Sequence, residues 1–219
     1  MTTTTTDMRP ASRLAATAPR RLDSVLIAED EHLLARNIAS DLGEMGFRVV
    51  GPASTGVEAL DLARKHRPDL ALMDVRMPEM DGLAAARVLH DELDIPVVIM
   101  SAYSEEQYVA AGVDSGVFGY LLKPVTVDEM RVSLAVAWGR FLRHVQVNQT
   151  VADMERRLEE RKLIERAKGM LIKQLGIDEE AAMRTLQRQA RDARRPMVEL
   201  ARAIIDAAAV MKDATPGKG

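Results

Sequence analysis

The sequence predicts an α/β fold: a five-stranded doubly wound parallel sheet, followed by a long helix and a small all-α three-helix domain. Three observations predict it. Short, continuous apolar runs alternate with helical stretches through the first half of the chain, as parallel strands buried on both faces do. Each of four runs delivers a polar group at its end. Ser24-Val-Leu-Ile-Ala28 meets Glu29-Asp30, Leu70-Ala-Leu-Met73 meets Asp74, Ile95-Pro-Val-Val-Ile-Met100 meets Ser101, and Gly119-Tyr-Leu-Leu122 meets Lys123-Pro124. Open α/β sheets place their sites at that carboxyl edge. From Thr126 onward the pattern is helical almost without interruption.

The elements follow in order. The first strand covers about Val25 to Ala28. Glu31 to Met45 is a helix with Leu33, Leu34, Ile38 and Leu42 at helical spacing, ended by Gly46. Arg48 to Ala53 is the second strand. Gly56 to Lys65 is a helix carrying Val57, Leu60 and Leu62. The third strand ends at Asp74, and the turn Met77-Pro78 to Asp81-Gly82 follows at once. Leu83 to His90 is helical, the fourth strand ends at Ser101, and Glu105 to Ala111 is a short helix. Gly119 to Leu122 is the fifth strand, and a helix opens near Thr126. Strands alternating with helices imply right-handed βαβ crossovers.

Composition narrows the class. The chain has 219 residues with 47% hydrophobic and 29% charged, so it reads as globular. Aromatic residues are only 3%, so the cores must be aliphatic. There is no cysteine, which excludes disulfides and thiolate metal sites. No apolar run approaches the roughly 20 residues that span a bilayer. Residues 1–21 are rich in Thr, Ala and Arg and lack the apolar core of a signal peptide; they read as a disordered tail of a cytoplasmic protein. From Arg161 to Gly219 there are 13 Lys and Arg against 8 Asp and Glu, an excess of +5, so the remainder carries −8 within a net −3. An acidic front and a basic back suggest two jobs, the basic part being suited to nucleic acid.

Glu29, Asp30 and Asp74 concentrate negative charge at one strand edge. Left alone, that raises at least one carboxyl pKa. Mg²⁺ removes the problem, because it takes hard oxygen ligands and keeps several waters. Lys123 adds a fixed positive charge and Ser101 a hydroxyl. The set suits a phosphoryl group carried on Asp74, since attack by a carboxylate needs mainly charge neutralisation and in-line positioning. Taken singly, these residues have plainer uses: Asp74 as the cap of a turn, Glu29-Asp30 as a helix cap, Tyr120 as a core tyrosine, Lys123 as a surface lysine.

Four pieces in order, Ala28-Glu29-Asp30, Met73-Asp74-Val-Arg-Met-Pro78 with Asp81-Gly82, Met100-Ser101-Ala102 and Gly119-Tyr120-Leu-Leu-Lys123-Pro124, resemble the receiver domain of two-component response regulators. The resemblance covers about Ser24 to Gly139. It implies that Asp74 accepts phosphate from a sensor histidine kinase. Asp30, Asp74 and the Arg76 carbonyl would bind Mg²⁺, with Glu29 close by. Ser101 and Lys123 would hold phosphate oxygens, and Tyr120 would turn inward as Ser101 moves. The family often has Asp where this chain has Glu29, a departure expected to alter metal affinity or dephosphorylation. No further enzymatic activity is expected: no Ser/His/Asp set appears, and His32, His66, His90 and His144 are scattered on helices or loops.

Domain boundaries are expected at 22–139 for the receiver, 140–162 for a helical connector, 163–212 for the three-helix domain and 213–219 for a disordered tail. Val147, Val151, Met154 and Leu158 recur at 4-3-4 spacing, a coiled-coil seam of about two heptads. No Gly/Ser-rich linker intervenes, so the coupling reads as stiff. Gly176 stops a helix, Asp178 caps the next, Arg191 to Arg195 forms a break, and Pro196 opens the last helix.

The pieces Glu165-Arg-Ala-Lys168-Gly169-Met-Leu171, then Ala181, Leu186 and Gln187, then Arg191 to Arg195, and Val198, Leu200, Ala201, Ile204 and Ile205 resemble the ANTAR domain, an RNA-binding module of antitermination regulators. The resemblance implies binding to RNA stem-loops and continued transcription. Candidate contacts are Arg166, Lys168, Lys173, Arg184, Arg188, Arg191, Arg194 and Arg195. The three-helix stretch has no Phe, Tyr or Trp, so stacking would fall to guanidinium planes and hairpin shape would carry more of the recognition. Gly169 is read as permitting close approach of a helix or of RNA. Homodimerisation on phosphorylation is a further expectation. The alternative output is a protein partner for the three-helix domain. A DNA-binding output lacks a convincing helix-turn-helix.

Overall fold

The computed structural model describes residues 21–102 and 116–213. The helix expected over Glu105 to Ala111 and both terminal tails lie outside the described residues. The elements are β1 (Ser24–Ala28), α1 (His32–Glu44), β2 (Arg48–Ala53), α2 (Gly56–His66), β3 (Leu70–Asp74), α3 (Gly82–Leu93), β4 (Val97–Ser101), β5 (Val117–Leu122), α4 (Val127–Leu175), α5 (Glu179–Asp192) and α6 (Met197–Asp213). Two compact units divide the chain between Gln146 and Val147.

In the first unit the strands form one parallel sheet in the order β2-β1-β3-β4-β5. Alternate residues of each central strand serve opposite faces. Val25, Ile27, Leu70, Leu72, Val98 and Met100 pack with Ile38 and Leu42 of α1 and Met130, Leu134 and Ala137 of α4. Leu26, Ala71, Met73, Val97 and Ile99 pack with Ala59, Leu60 and Ala63 of α2 and Ala85, Ala86 and Leu89 of α3. Burial on both faces is why these strands read as unbroken apolar runs rather than alternating ones.

Local chemistry sets the helix starts. Thr55 caps α2 by accepting the Glu58 amide, while the Glu58 carboxylate takes the Ser54 amide at 2.8 Å. Thr126 and Glu129 make a reciprocal capping box at the start of α4, with Thr126 N donating to Glu129 at 3.1 Å and Glu129 N to Thr126 Oγ1 at 3.3 Å. Asp81 caps α3 through the Ala84 amide at 2.7 Å. That helix starts one residue before the expected Leu83 and continues past His90 to Leu93.

The histidines are less scattered than the sequence suggests. His90 of α3 and His144 of α4 stand 5.5 Å apart, centroid to centroid, and both rings meet Phe118 of β5. Burial, and then the neighbouring His144, hold His90 below the usual imidazole range.

α4 is one unbroken helix of 49 residues, so the expected connector and the first helix of the three-helix domain are a single element. Nothing in Val127–Leu175 breaks it: there is no proline, and Gly139 and Gly169 are tolerated in helix interiors. Gly176, at φ +66°, ends it and donates its amide to the Ile172 carbonyl. Asp178 then caps α5 through the Ala181 amide.

In the second unit Ala167 and Leu171 of α4, Ala182 and Leu186 of α5, and Ala201 and Ile205 of α6 form the core. Three of these, Ala167, Ala182 and Ala201, are fully buried, and the larger residues pack with them in one cluster. The expected break at Arg191 to Arg195 is shorter: Arg191 and Asp192 remain helical, and the turn runs from Ala193 to Pro196 with Arg194 at φ +52°. The Pro196 carbonyl accepts the Glu199 amide, so proline stands just before α6. Val147, Val151, Met154 and Leu158 are 47–64% exposed.

Candidate functional site

The order β2-β1-β3-β4-β5 puts the reversal of strand order between β1 and β3, the place where open α/β sheets leave a crevice at their carboxyl edge. Glu29 and Asp30 leave the end of β1 there, and Asp74 ends β3. Ligand oxygens of Glu29, Asp30 and Asp74 all lie within 4.8 Å of one another. Lys123, just past β5, bridges two of the acids: its Nζ lies 2.7 Å from Glu29 Oε2 and 2.8 Å from Asp74 Oδ2. The Lys123 amide also donates to the Ser101 carbonyl at 2.8 Å, which ties the ends of β4 and β5 together. Ser101 is 9% exposed. Tyr120, paired with Ile99 in the sheet, is part-buried against the cluster under α2 and α3. The Arg76 amide leans toward Asp74 Oδ1 at 3.4 Å.

The electrostatics follow from burial and from the lysine. Burial raises the Glu29 pKa; the hydrogen bond and charge of Lys123 work against that, and the Asp74 charge adds to it. Burial alone would depress Lys123, but hydrogen bonds from it to Asp74 and Glu29, and the charges of both, hold its ammonium above the ordinary lysine range. Burial raises Tyr120. Three carboxylates facing one ammonium leave an excess of negative charge. Their oxygens are hard donors, which fits a small divalent cation.

Residues 25–135 match the response regulator receiver domain family, and residues 152–205 match the ANTAR domain family. The transcriptional regulatory protein PdtaR of Mycobacterium tuberculosis is 38% identical over 204 residues, covering 93% of this chain and 98% of PdtaR. The chain belongs to the receiver–ANTAR response regulators. Solved receiver domains resemble its first unit. That of a modulated diguanylate cyclase from Desulfovibrio desulfuricans is 30% identical, with a TM-score of 0.52 over 57% of this chain and 99% of that one. That of the response regulator NarL from M. tuberculosis is 35% identical, with a TM-score of 0.50 over 55% and 99%. The receiver plus ANTAR architecture fits a regulator. Among the described residues no helix is long and apolar enough to cross a membrane.

Gly82 of the receiver matters in a way the sequence did not reveal. A Cβ there would stand 2.0 Å from the carbonyl oxygen of Asp74, because the Gly82 amide folds back to donate to Val75 O at 2.8 Å. Gly82→Ala is therefore expected to cost about 1–3 kcal/mol by overpacking, read by urea unfolding. Gly139→Ala, where a Cβ meets nothing within 4 Å, serves as control and is expected to stabilise by about 1 kcal/mol. Equal stability of the two variants would refute this reading of Gly82.

In the ANTAR unit the structure sorts the eight basic candidates. Lys168 is held by Glu165 and Glu179, Arg184 by Glu180, and Arg195 by Glu199. Arg166, Lys173, Arg188, Arg191 and Arg194 are exposed and make no ion pair among the described residues. Arg184, Arg188 and Arg191 repeat at helical spacing on the side of α5 opposite the buried Ala182, Leu186 and Ala190. Gly169 meets nothing within 4 Å of where a Cβ would stand, so no neighbouring helix requires it.

Proposed function

We propose that the chain is a phosphorylation-controlled, RNA-binding antitermination regulator, with Asp74 as phosphoacceptor. The observation that carries the reading is the convergence of Glu29, Asp30, Asp74 and Lys123 on one sheet edge, in a chain that also holds an ANTAR domain. An Asp74 carboxylate oxygen attacks the phosphorus of a phosphohistidine on a sensor histidine kinase. An acyl phosphate forms, the N–P bond breaks, and the departing imidazole nitrogen keeps the bonding pair. Glu29, Asp30, Asp74 and the Arg76 carbonyl would hold Mg²⁺, which supplies charge neutralisation at the phosphoryl oxygens. Lys123 passes from Asp74 to a phosphoryl oxygen, and the Ser101 hydroxyl donates to another. Tyr120, already part-buried, settles inward behind Ser101.

The output is the ANTAR domain acting on RNA stem-loops in a cytoplasmic protein. Basic side chains neutralise phosphates and read hairpin shape. The exposed row Val147, Val151, Met154 and Leu158 supports pairing of two copies on phosphorylation. Two ANTAR units on one RNA then gain from effective concentration. The test is to sequence the RNA that the full-length protein retains from a transcript pool, with and without a small phosphodonor. Enrichment of stem-loops that rises with donor is the expected result. Equal enrichment would remove Asp74 from control of binding, and no enrichment would shift the output to a protein partner.

A further inference from the structure

Lys168 has the sequence position of an RNA contact and the structural position of something else. Its side chain is 11% exposed, although it sits on a surface helix of a small unit. It pairs with Glu165 three residues before it in α4, and at 2.8 Å with Glu179 in the first turn of α5. The second pair crosses the Gly176 turn and ties two helices. Glu165 and Glu179 together satisfy two of the three ammonium donors. Hydrogen bonds to Glu165, then Glu179, hold the Lys168 ammonium above the usual lysine range, and Lys168 holds the Glu179 carboxyl below its own.

Glu179 stands directly after the cap Asp178, where an acid is favoured by the helix dipole and a bare cation is not. A Lys168 that swung out to a phosphate would leave two carboxylates without their partner, beside an RNA that repels them. Behind this ion pair lies the junction of Ala167 and Leu171 with Ala182 and Leu186, the packing that fixes how α5 is set against α4. On the far side of α5 stand Arg184, Arg188 and Arg191.

We propose that Lys168 is a positioning residue: it locks the start of α5 to α4 and thereby sets the presentation of the arginine row of α5, and it makes no phosphate contact of its own. The RNA part of this rests on the reading of the ANTAR unit as the RNA-binding output; the strut itself does not.

The experiment uses the full-length chain and a stem-loop RNA recovered from the transcript pool. Lys168→Met keeps the aliphatic stem and removes the charge; Glu179→Gln removes the partner. Both are expected to weaken RNA binding about tenfold at fixed salt. The slope of log K against log salt stays at its wild-type value, because no phosphate contact is lost. The double variant Lys168→Met with Glu179→Gln weakens binding no further than Lys168→Met alone, to within about threefold, because both changes break one strut.

A fall in slope of about 0.7 for Lys168→Met, or tighter binding by Glu179→Gln, makes Lys168 a phosphate contact and overturns the proposal. Hydrogen exchange without RNA gives the independent arm: amides in the first turns of α5 are expected to exchange about tenfold faster in Lys168→Met. Unchanged exchange overturns the strut whether or not RNA binds. Faster exchange in a protein that retains no RNA upholds the strut and overturns its role in RNA presentation.

Discussion

Asp74→Asn is expected to abolish phosphoryl uptake from a small phosphodonor, by a factor on the order of 10³ or more, while leaving the receiver folded. An amide is not a nucleophile at this site, and no other carboxylate takes the place of Asp74. Glu29 is 1% exposed and held by Lys123 and the Glu31 amide, and Asp30 leaves a different strand. The fold has no need of the charge. Asp74 lies at the end of β3 rather than within it, and Asn still accepts from Lys123 through its carbonyl oxygen. Loss of one of three clustered carboxylates also relieves repulsion, so the melting temperature without metal is expected to hold or rise.

Mg²⁺ separates the two effects. The wild-type protein is expected to gain about 2.7 kcal/mol of stability at a hundredfold excess over Kd, and the variant to lose most of that gain. Intact mass after donor treatment, with thermal unfolding at several Mg²⁺ concentrations, checks both. A variant that still takes up one phosphoryl group places the acceptor elsewhere.

How much of this was legible in the sequence depends on whether the deciding contact is local. The central strands β1, β3 and β4 could be read because they are buried on both faces, so Val25 to Ala28 and Leu70 to Met73 carry no polar residue. Strand ends could be read because Glu29-Asp30, Asp74, Ser101 and Lys123 interrupt the apolar runs abruptly. The absence of any linker could be read too, and α4 is unbroken where a flexible segment would otherwise stand. The boundary between connector and three-helix domain could not, because no residue within α4 marks it.

Contacts through space were also hidden. Nothing local says that Glu29 shares Lys123 with Asp74, that a Cβ on Gly82 would collide with the Asp74 carbonyl, or that His90 and His144 meet across Phe118. Among the basic residues, Arg184 with Glu180 and Arg195 with Glu199 are pairs at i,i+4 that spacing could reveal. Glu179, eleven residues beyond Lys168 and past a turn, is not.

That sorting decides the second large effect. Replacing Arg188, Arg191 and Arg194 together by Gln is expected to weaken stem-loop binding by about 10²-fold or more and to flatten its salt dependence. Arg188 and Arg191 lie on the face of α5 turned away from Ala182, Leu186 and Ala190, and Arg194 follows in the turn before α6. Each phosphate contact contributes about 0.7 to the slope of log K against log salt on single strands and about 0.9 on duplex. Three lost contacts therefore flatten the slope by about 2–3.

Arg184 and Arg195 already carry intramolecular partners, so changing those two to Gln is expected to move the slope by less than the three unpaired arginines do. Stability should hardly change in either set, since exposed charges on this unit contribute little to folding. The measurement is a titration of the recovered stem-loop at four or more salt concentrations, with unfolding as a control. A protein-partner surface would behave differently: apolar hot spots would dominate and the salt slope would be shallow in the wild-type protein itself. A wild-type slope near zero, or a triple variant with an unchanged slope, would take the arginine row of α5 out of the RNA interface.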